Sequence, residues 1–288
     1  MPPVTVIEEW KVDAYAGNVH HLTQQMVHKT MGTTRTQDGA PGKRLGFDRL
    51  APVEGIIGSR SRFAATPNIE SDESRRWANP VQWVYAKMVD DWDKLEQIHN
   101  PESEYAMAAA ASKNRFRDAI TIGYNPSGSG TFAGLVGGAL GLADEGEEVL
   151  TQVALPTTQI IPDGGTGLTK AKCIRAHTKF LENDYDPFMH GPRVMVYDPF
   201  QLNFLLDDAE LTDIERLSVK TLMTGVMPDN LLGFERWIPY TRLPVEGNIV
   251  RNAAYAREAL GVGIWLDEKR RAGERADRSY HNQIFMAQ

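Results

Sequence analysis

Cysteine is almost missing from this chain of 288 residues, which contains only Cys173. A single cysteine excludes an intrachain disulfide framework, and it favours a reducing compartment or a particle built in one. The pattern around Cys173 predicts a helix, and a lone cysteine in a helix is usually a small buried apolar side chain. A catalytic thiol is therefore not expected.

Long apolar runs are missing as well, and mean hydropathy is −0.38. No stretch approaches the roughly 18 apolar residues of a membrane span, so no membrane partner is expected. The opening MPPVTVIEEWKVDAYAGN shows no basic region followed by an apolar run. A secretory signal is therefore not expected.

Positive charge is outnumbered, because 38 Asp and Glu face 31 Lys and Arg and the net charge is −7. Affinity for phosphate backbones comes from clustered Lys and Arg, so a general nucleic-acid binder is disfavoured. The same sign suits the wall of a container for DNA, since repulsion keeps packed DNA from adhering to it.

The signatures of catalysis and metal binding are also missing, since no GxSxG, HExxH, CxxC or GxGxxG pattern occurs. The stretch GGTGLTK, from Gly164 to Lys170, has glycines ahead of a predicted helix, as a phosphate loop does. It lacks the GxxxxGK[ST] spacing and is better explained as a plain helix entrance. We expect no catalytic, cofactor-binding or metal-binding residue. The alternative from another class is an α/β enzyme that binds a phosphorylated ligand at this loop.

What is present in the first half of the chain is an order of three unlike stretches: a polar arm, a segment rich in Gly, Pro and Arg, and a helix. A polar arm runs to about Arg35, with Trp10 and Tyr15 among its candidate apolar contacts. A segment rich in Gly, Pro and Arg follows over 36–81 and has little apolar face of its own. A compact enzyme rarely has about forty residues that cannot bury themselves. Such segments indicate an assembly protein in which a neighbouring copy supplies the missing surface.

The segment 36–81 is predicted to be a long two-stranded excursion. Leu45 and Phe47 alternate with polar residues on the outgoing side, and Trp83 and Tyr85 alternate on the returning side. Acidic residues are interspersed among its arginines, which are expected to pair with carboxylates of a neighbouring subunit and not with nucleic acid. The candidate interface residues of this region are Arg60, Arg62, Arg75, Arg76, Trp77 and Trp83.

A well-signalled helix is predicted over 101–122. Asn100 suits the N-cap and Pro101 the first helical position. One side is expected to be buried and the other to face away. The buried side comprises Met107, Ala111, Phe116, Ala119 and Ile120, and the outer side comprises Lys113, Arg117 and Asp118.

The second half of the chain has an α/β pattern. The stretch 125–148 is rich in Gly and small residues, and composition does not decide between a loop and a packed excursion. Helices are predicted over 168–181, 200–206 and 214–223. Strands are predicted over 193–197, 232–238, 249–256, 264–267 and 280–286.

This order of segments resembles the major capsid proteins of tailed phages, whose fold is named after phage Hong Kong 97. The resemblance rests on an arm of the type YAGNVHHLTQQMVHKTMGTTRT, an Arg-Arg pair before a strand and the acids of KMVDDWDK, and a helix start at NPESEYA. GGTGLT before a helix, the strand-Pro-helix unit VMVYDPFQLNFLL, an LGF strand and an RLP turn continue it. The order and spacing of these motifs carry the resemblance, which covers nearly the whole chain.

The resemblance implies an α+β, Hong Kong 97-type capsid fold. Residues 1–35 would form an N-terminal arm, and 36–81 an extended β-hairpin loop lying over the adjacent subunit. Residues 82–167 would form a peripheral domain with a long spine helix and the Gly-rich excursion. Residues 168–242 would form an axial domain, and 243–288 would return as strands to the peripheral domain and axial sheet.

The resemblance also implies a structural, non-enzymatic function: self-assembly into the icosahedral head shell around a double-stranded DNA genome. Its implied partners are other copies in hexamers and pentamers, separate scaffolding and portal proteins, a possible decoration protein, and packaged DNA bound without sequence specificity. The protein would belong to the virion capsid and be assembled in the host cytoplasm. A cargo-enclosing nanocompartment of the same fold is the alternative within this class.

Overall fold

The computed structural model describes residues 24–55, 68–89, 101–123, 139–144, 150–207, 225–243, 245–246, 249–278 and 282–288. These residues belong to two compact units. The first draws on the chain up to His28, from Gln82 to Arg115 and from Glu268 to the end. The second draws on the chain from Lys29 to Val81 and from Phe116 to Asp267.

The helices begin and end where local signals place them. Within the described residues they are α1 (Pro101–Ile122), α2 (Lys170–Glu182), α3 (Pro187–His190) and α4 (Leu202–Leu206). Helix α1 contains a run of alanines, which are the best helix formers. It ends at Gly123, whose φ of 103° suits glycine after a helix.

The strands are short and mostly antiparallel. In chain order they are β1 (Arg35–Asp38), β2 (Leu45–Leu50), β3 (Glu73–Ala78), β4 (Val84–Val89), β5 (Ala139–Asp144), β6 (Leu150–Ala154), β7 (Arg193–Tyr197), β8 (Arg236–Pro239), β9 (Val245–Glu246), β10 (Ile249–Val250), β11 (Ala253–Ala256), β12 (Gly261–Ile264), β13 (Lys269–Glu274) and β14 (Asn282–Ala287).

The first unit contains the sheet β13-β14-β4, in which both pairings are antiparallel. The second unit contains the antiparallel sheet β2-β3-β5-β6, the mixed sheet β11-β7-β8, the parallel pair β1-β12 and the pair β9-β10. In the sheet β11-β7-β8, strand β7 is central and pairs parallel with β8.

Strand β7 separates the two hydrophobic clusters of the second unit. Alternation along a strand sends Val194 and Val196 to one face and Met195 and Tyr197 to the other, and all four are buried. The first cluster comprises Ile122, Val194, Val196, Ile238, Tyr240, Leu243, Ala253 and Tyr255, and the second comprises Leu168, Cys173, Met195, Tyr197, Leu205, Met227, Phe234 and Trp237.

Several sequence predictions are confirmed. Helix α1 has the expected bounds, β7 coincides with the predicted strand 193–197, and the predicted final strand is β14. Helix α2 covers most of the predicted helix 168–181. The predicted helix 200–206 is a 3₁₀ turn, Pro199–Gln201, followed by α4. The predicted helix 214–223 and the N-cap Asn100 lie outside the described residues.

The predicted pairing of the excursion is wrong. The strand that returns alongside β2 is β3, with Leu45 opposite Ala78 and Leu50 opposite Glu73. The stretch with Trp83 and Tyr85 leads into and forms β4, which pairs with β14 in the other unit. Alternation identifies a strand but does not identify its partner.

Two further strand predictions are wrong in position. Residues 232–238 contain a turn before β8, because Leu232 and Gly233 have positive φ values of 52° and 84°. The strand predicted over 264–267 lies earlier, as β12. Residues 249–256 form two short strands, β10 and β11, instead of one.

The predicted faces of α1 are partly wrong. Ala111 and Ala119 are buried as expected, but Met107 is 44% exposed. Asp118 was expected to face away and is fully buried. Lys113 was also expected to face solvent, yet its side chain is 12% exposed and pairs with Glu268 at 2.5 Å.

Candidate assembly interface

The hairpin of β2 and β3 has a base that packs on its own chain. Phe47 lies against Gly261, where an added Cβ would come within 2.6 Å of the Phe47 ring. Leu45 lies against Gly263 in the same way, also at 2.6 Å. The absence of side chains at these two positions of β12 therefore creates the surface that receives the base of the hairpin.

Beyond this base the hairpin has little contact with its own chain. The residues of β2 from Asp48 onward are exposed, as are those of β3 up to Arg75. Apolar side chains are exposed at the end of β2 and beyond the strands, with Leu50 66% exposed, Val53 48% and Ile69 41%. An isolated two-stranded ribbon is only marginally stable in water. We call the exposed part, residues 48–55 and 68–75, the distal hairpin. The distal hairpin thus has apolar surface that its own chain does not cover.

An arginine–tryptophan cluster lies on one face of this hairpin. The Trp77 ring is flanked by the guanidinium of Arg44, 5.3 Å from the ring centroid, and by that of Arg75, at 5.2 Å. Arg75 also makes a two-point ion pair with Asp48, with one contact of 3.0 Å. The hydrogen bond and charge of Arg75 hold the pKa of the Asp48 carboxyl below its usual range. Gly46 lies against the Arg75 and Trp77 side chains, and it leaves room for both because it has no side chain of its own.

The structure brings only some of the predicted interface residues together. Arg75, Arg76 and Trp77 are consecutive on β3, and Arg75 already has a carboxylate partner, Asp48, within its own chain. Arg76 Nε and Trp77 Nε1 are buried and have no hydrogen-bond partner within the described residues. Trp83 is only 8% exposed and its ring stacks on Tyr85. Outside the described residues lie Trp10, Tyr15, Arg60 and Arg62.

Sequence reasoning missed a buried polar anchor at the start of the second unit. The carboxylate of Asp118 on α1 accepts hydrogen bonds from the Lys29 and Thr30 backbone amides, at 3.0 and 2.9 Å, and from the Thr30 hydroxyl at 2.7 Å. Thr33 shares a 2.8 Å hydrogen bond with the Tyr255 hydroxyl. Burial raises the pKa of Tyr255 to about 12. The anchor fixes the chain immediately ahead of β1.

The glycine loop ahead of α2 is closed by its own side chains. The Asp163 carboxylate accepts a 2.9 Å hydrogen bond from the Gly165 amide. The Lys172 ammonium donates to the Thr166 and Gly167 carbonyls, the latter at 2.8 Å. A carboxylate therefore already occupies an amide that a phosphate would need, and Lys172, two residues after the loop lysine Lys170, is engaged with carbonyl oxygens.

Other chemistry is not suggested by the described residues. Cys173 is fully buried, and burial raises the pKa of its thiol to about 12. No group of His, Cys, Asp or Glu within the described residues could hold a metal ion. None of the helices described in this structure has the length and apolar character that crossing a bilayer requires.

Comparison with solved structures identifies the fold. The capsid of cyanophage P-SCSP1u matches with a TM-score of 0.66 at 12% identity, over 98% of this chain and 88% of the other. The capsid of Ralstonia phage GP4 matches with a TM-score of 0.65 at 10% identity, over 96% and 88%. The mature capsid of bacteriophage PhiM1 matches with a TM-score of 0.61 at 10% identity, over 96% and 86%.

Comparison with curated protein sequences gives no match. A family model described as phage capsid protein, however, matches residues 7–288. This match covers nearly the whole chain, and it agrees with the fold and with the resemblance carried by the sequence motifs. The chain belongs to the phage capsid protein family, and its function is to form the head shell of a tailed phage.

Proposed function

We propose that copies of this chain join into hexamers and pentamers by exchanging arms and loops with their neighbours. In this arrangement residues 1–35 form an arm that grips a neighbouring subunit, and residues 36–81 form a loop that lies over the adjacent subunit. The observation that carries the proposal is the distal hairpin, whose apolar side chains Leu50 and Val53 are 66% and 48% exposed. Their burial by a neighbour would contribute to the large apolar interface that an obligate assembly needs.

The rest of the chain is divided into domains under the same proposal. Residues 82–167 constitute a peripheral domain with α1 as its spine, 168–242 an axial domain, and 243–288 the returning strands. Trp10, Tyr15, Arg60, Arg62 and Arg76 are candidate contacts to neighbouring subunits, together with the exposed edge of the cluster around Trp77. Arg75 already has Asp48 as a partner, so its contribution to such a contact is secondary.

The partners of the shell are proposed from its charge and family. A net charge of −7 favours a wall that encloses double-stranded DNA without sequence-specific binding. Separate scaffolding and portal proteins, and in some particles a decoration protein, complete the head, which is assembled in the host cytoplasm before the protein resides in the virion. Membership of a structural family supports a non-enzymatic role. DNA in purified particles would support this function, and enclosed cargo protein would support a nanocompartment instead.

The distal hairpin provides a sharp test. The Ala51 amide donates a 2.9 Å hydrogen bond to the Asp72 carbonyl, so residues 52–71 can be replaced by Asn-Gly, which favours a tight hairpin turn. This deletion keeps Leu45 and Phe47 on β12. A larger deletion from Gly39 to Asp72 would remove β2 and with it those two side chains, so it would test folding and assembly together.

The shortened chain is expected to fold but not to close shells. Folding is measured by circular dichroism and thermal melting, and assembly by light scattering and negative-stain electron microscopy, with the scaffolding protein of the same genome where one is needed. The matched control is a chain in which residues 52–71 are replaced by a Gly/Ser linker of equal length. Closed shells of normal size from the shortened chain would contradict the assembly role of this segment.

A further inference from the structure

The sheet β13-β14-β4 of the first unit has one face that stays open within the described residues. Alternation along the strands and their antiparallel register place five residues on this side: Lys269, Arg271, Phe285, Val84 and Ala86. Val84 is 50% exposed. The Ala86, Lys269 and Arg271 side chains are exposed as well, and Phe285 is half-buried. We call these five residues the sheet face.

The opposite side of the same sheet is the one that packs on its own unit. Ile284 and Met286 of β14 are buried there, and the Lys87 ammonium of β4 lies 5.3 Å from the centroid of the Tyr105 ring of α1. An antiparallel sheet with one packed side is common, but its open side is then usually polar. Here the open side is the sheet face, which has an apolar centre instead.

The sheet face carries positive charge that the described residues do not neutralise. None of its three strands places a carboxylate on this side, since Glu274 of β13 alternates to the other one. Arg270 also lies on the other side, where it pairs with Glu268. Neither Lys269 nor Arg271 has an ion-pair partner within the part of the chain that the structure describes. An occupant that suits this face therefore combines apolar side chains with negative charge.

A protein segment fits the sheet face better than a nucleic acid does. Phosphate backbones are bound by clusters of Lys and Arg, whereas this face has two cations beside an apolar centre. A nucleic acid would leave the Phe285 and Val84 side chains uncovered, and the chain as a whole has a net charge of −7. The occupant is thus expected to be an acidic, partly apolar segment of protein.

The distal hairpin has this combination of side chains. Leu50 is 66% exposed and lies directly opposite Glu73 of β3, on the side that alternation turns away from β12. Glu54, Glu70 and Asp72 are exposed as well. None of these four acids has an ion-pair partner among the described residues. The loop tip, which carries two arginines, lies outside the described residues and is not part of this surface.

We propose that the distal hairpin of one copy packs on the sheet face of a second copy of this chain. This deepens the proposed function, on which it rests, by naming the surface that the loop covers. Leu50 and Glu73 form one cross-strand pair, and Phe285 and Arg271 form another. Directly opposite residues have Cβ atoms about 5 Å apart in any antiparallel pair. Leu50 on Phe285 therefore brings Glu73 to Arg271.

A second copy is the occupant because each chain exposes both surfaces. Leu50 and Val84 are 66% and 50% exposed in the single chain, so neither surface is covered by the other within it. In a shell every copy has neighbours that can supply the missing surface. The hairpin and the sheet face are different surfaces, so the contact is heterologous and can repeat from copy to copy around a ring.

Thiol cross-linking between two differently labelled chains tests the contact. Ser71→Cys places a thiol on the hairpin, two residues before Glu73, and Ala86→Cys places one on the sheet face, opposite Phe285. A tagged Ser71→Cys chain is co-assembled with an untagged Ala86→Cys chain and treated with a short bismaleimide. Cys173 is not expected to react because it is fully buried. The expected product is a tagged–untagged dimer, and each variant alone gives none.

Charge reversal tests the register of the contact. Glu73→Lys and Arg271→Glu are each expected to lower the yield of mixed dimer and of particles about fivefold, because each brings two like charges together. Both reversals in the same chain should restore the yield, since every contact then has one partner of each sign. The matched control is Glu274→Lys, which reverses an exposed charge on the other side of β13 and should leave the yield unchanged.

A single substitution tests the apolar part of the contact. Leu50→Asp is expected to lower the yield of mixed dimer about tenfold, because the burial of a leucine side chain is lost. Val245→Asp is the matched control, since Val245 is another exposed apolar residue of the second unit, at 62%. Circular dichroism of the unassembled chains checks that both variants fold.

The outcomes separate this contact from the wider function. Particles that form normally but yield no mixed dimer, or that tolerate Leu50→Asp as well as Val245→Asp, would overturn the contact and leave the capsid function intact. Dimers from Ser71→Cys alone would mean that hairpins meet each other, which also overturns it. Protection of the Ala86→Cys thiol by added DNA or scaffolding protein, in place of the mixed dimer, would assign the sheet face to that occupant. If the unmodified chain forms neither capsomers nor shells, the proposed function itself fails.

Discussion

Asp118 accepts a 2.7 Å hydrogen bond from the Thr30 hydroxyl, although the two residues are 88 positions apart. Both side chains are buried. Through this contact the carboxylate connects α1 to the chain immediately ahead of β1. The Lys29 ammonium adds a 2.6 Å hydrogen bond to the Pro239 carbonyl, which ties the same segment to the end of β8. The chain immediately ahead of β1 is thus fixed by polar contacts within the second unit.

Replacing Asp118 with Ala is expected to destabilise the unassembled chain by about 3 kcal/mol, because buried donors would lose their acceptor. Thr30→Val keeps the shape and removes only the hydroxyl, so about 1 kcal/mol is expected. Urea unfolding monitored by circular dichroism measures both changes. The control is Asp38→Ala on the exposed strand β1, for which a change within about 0.5 kcal/mol is expected. Equal effects of Asp38→Ala and Asp118→Ala would contradict the anchor.

Gly261→Ala is expected to loosen the base of the hairpin. The added Cβ would lie 2.6 Å from the Phe47 ring, and overpacking of this kind costs about 1–3 kcal/mol. Combining it with Phe47→Leu should recover part of the stability, because the smaller side chain makes room. Thermal melting measures the series. Gly273→Ala on β13, where nothing lies within 4 Å, is the control, and a loss as large as that of Gly261→Ala would exclude packing on Phe47 as the cause.

The elements predicted correctly have strong local signals. Helix α1 has Pro101 at its start, an alanine run within it and Gly123 after its end. Strand β7 is a continuous apolar run, and Asp198 after it caps the Pro199 turn by accepting from the Phe200 amide at 3.2 Å. Such signals depend on neighbouring residues alone, so the sequence shows them without knowledge of the fold.

The missed features depend on distant partners. Strand β13, KRRAGE, is exposed throughout and is defined only by its pairing with β14. Asp118 has the pattern of an outward-facing residue on α1, and only Lys29 and Thr30 explain its burial. The glycines of β12 that receive the hairpin base were also beyond sequence reasoning, since a glycine in a strand does not indicate which side chain approaches it.

The Arg193–Glu235 pair is expected to make stability depend on acid pH. Glu235 accepts from the Arg193 amide at 2.6 Å and from its guanidinium at 2.8 Å. Burial opposes the charged form, but these hydrogen bonds and the Arg193 charge outweigh it and hold the pKa of Glu235 below its usual value of 4.5. A lowered pKa in the folded state means that the contribution is present above about pH 4.5 and is lost as the pH falls through the folded value.

Glu235→Gln should therefore cost about 1 kcal/mol at neutral pH, and this difference from the unmodified chain should shrink progressively below about pH 4.5. Urea midpoints of both chains, measured from neutral pH downward, give the difference directly. Glu274→Gln, on the exposed strand β13, serves as the control for removing one carboxylate. A difference that stays constant across this range would show that the charge of Glu235 does not contribute.

Cys173 is expected to stay unmodified in the folded chain. Its thiol is fully buried, and burial raises its pKa from 9.0 to about 12, which lowers the reactive thiolate fraction about a thousandfold. Labelling with an aromatic disulfide reagent should be slow under native conditions and rapid in guanidinium chloride. Thr178→Cys, exposed on the same helix, should add one rapidly labelled thiol. Rapid labelling of Cys173 in the folded chain would instead mean that the inner face of α2 opens readily, which would contradict stable packing of Cys173 in the second hydrophobic cluster.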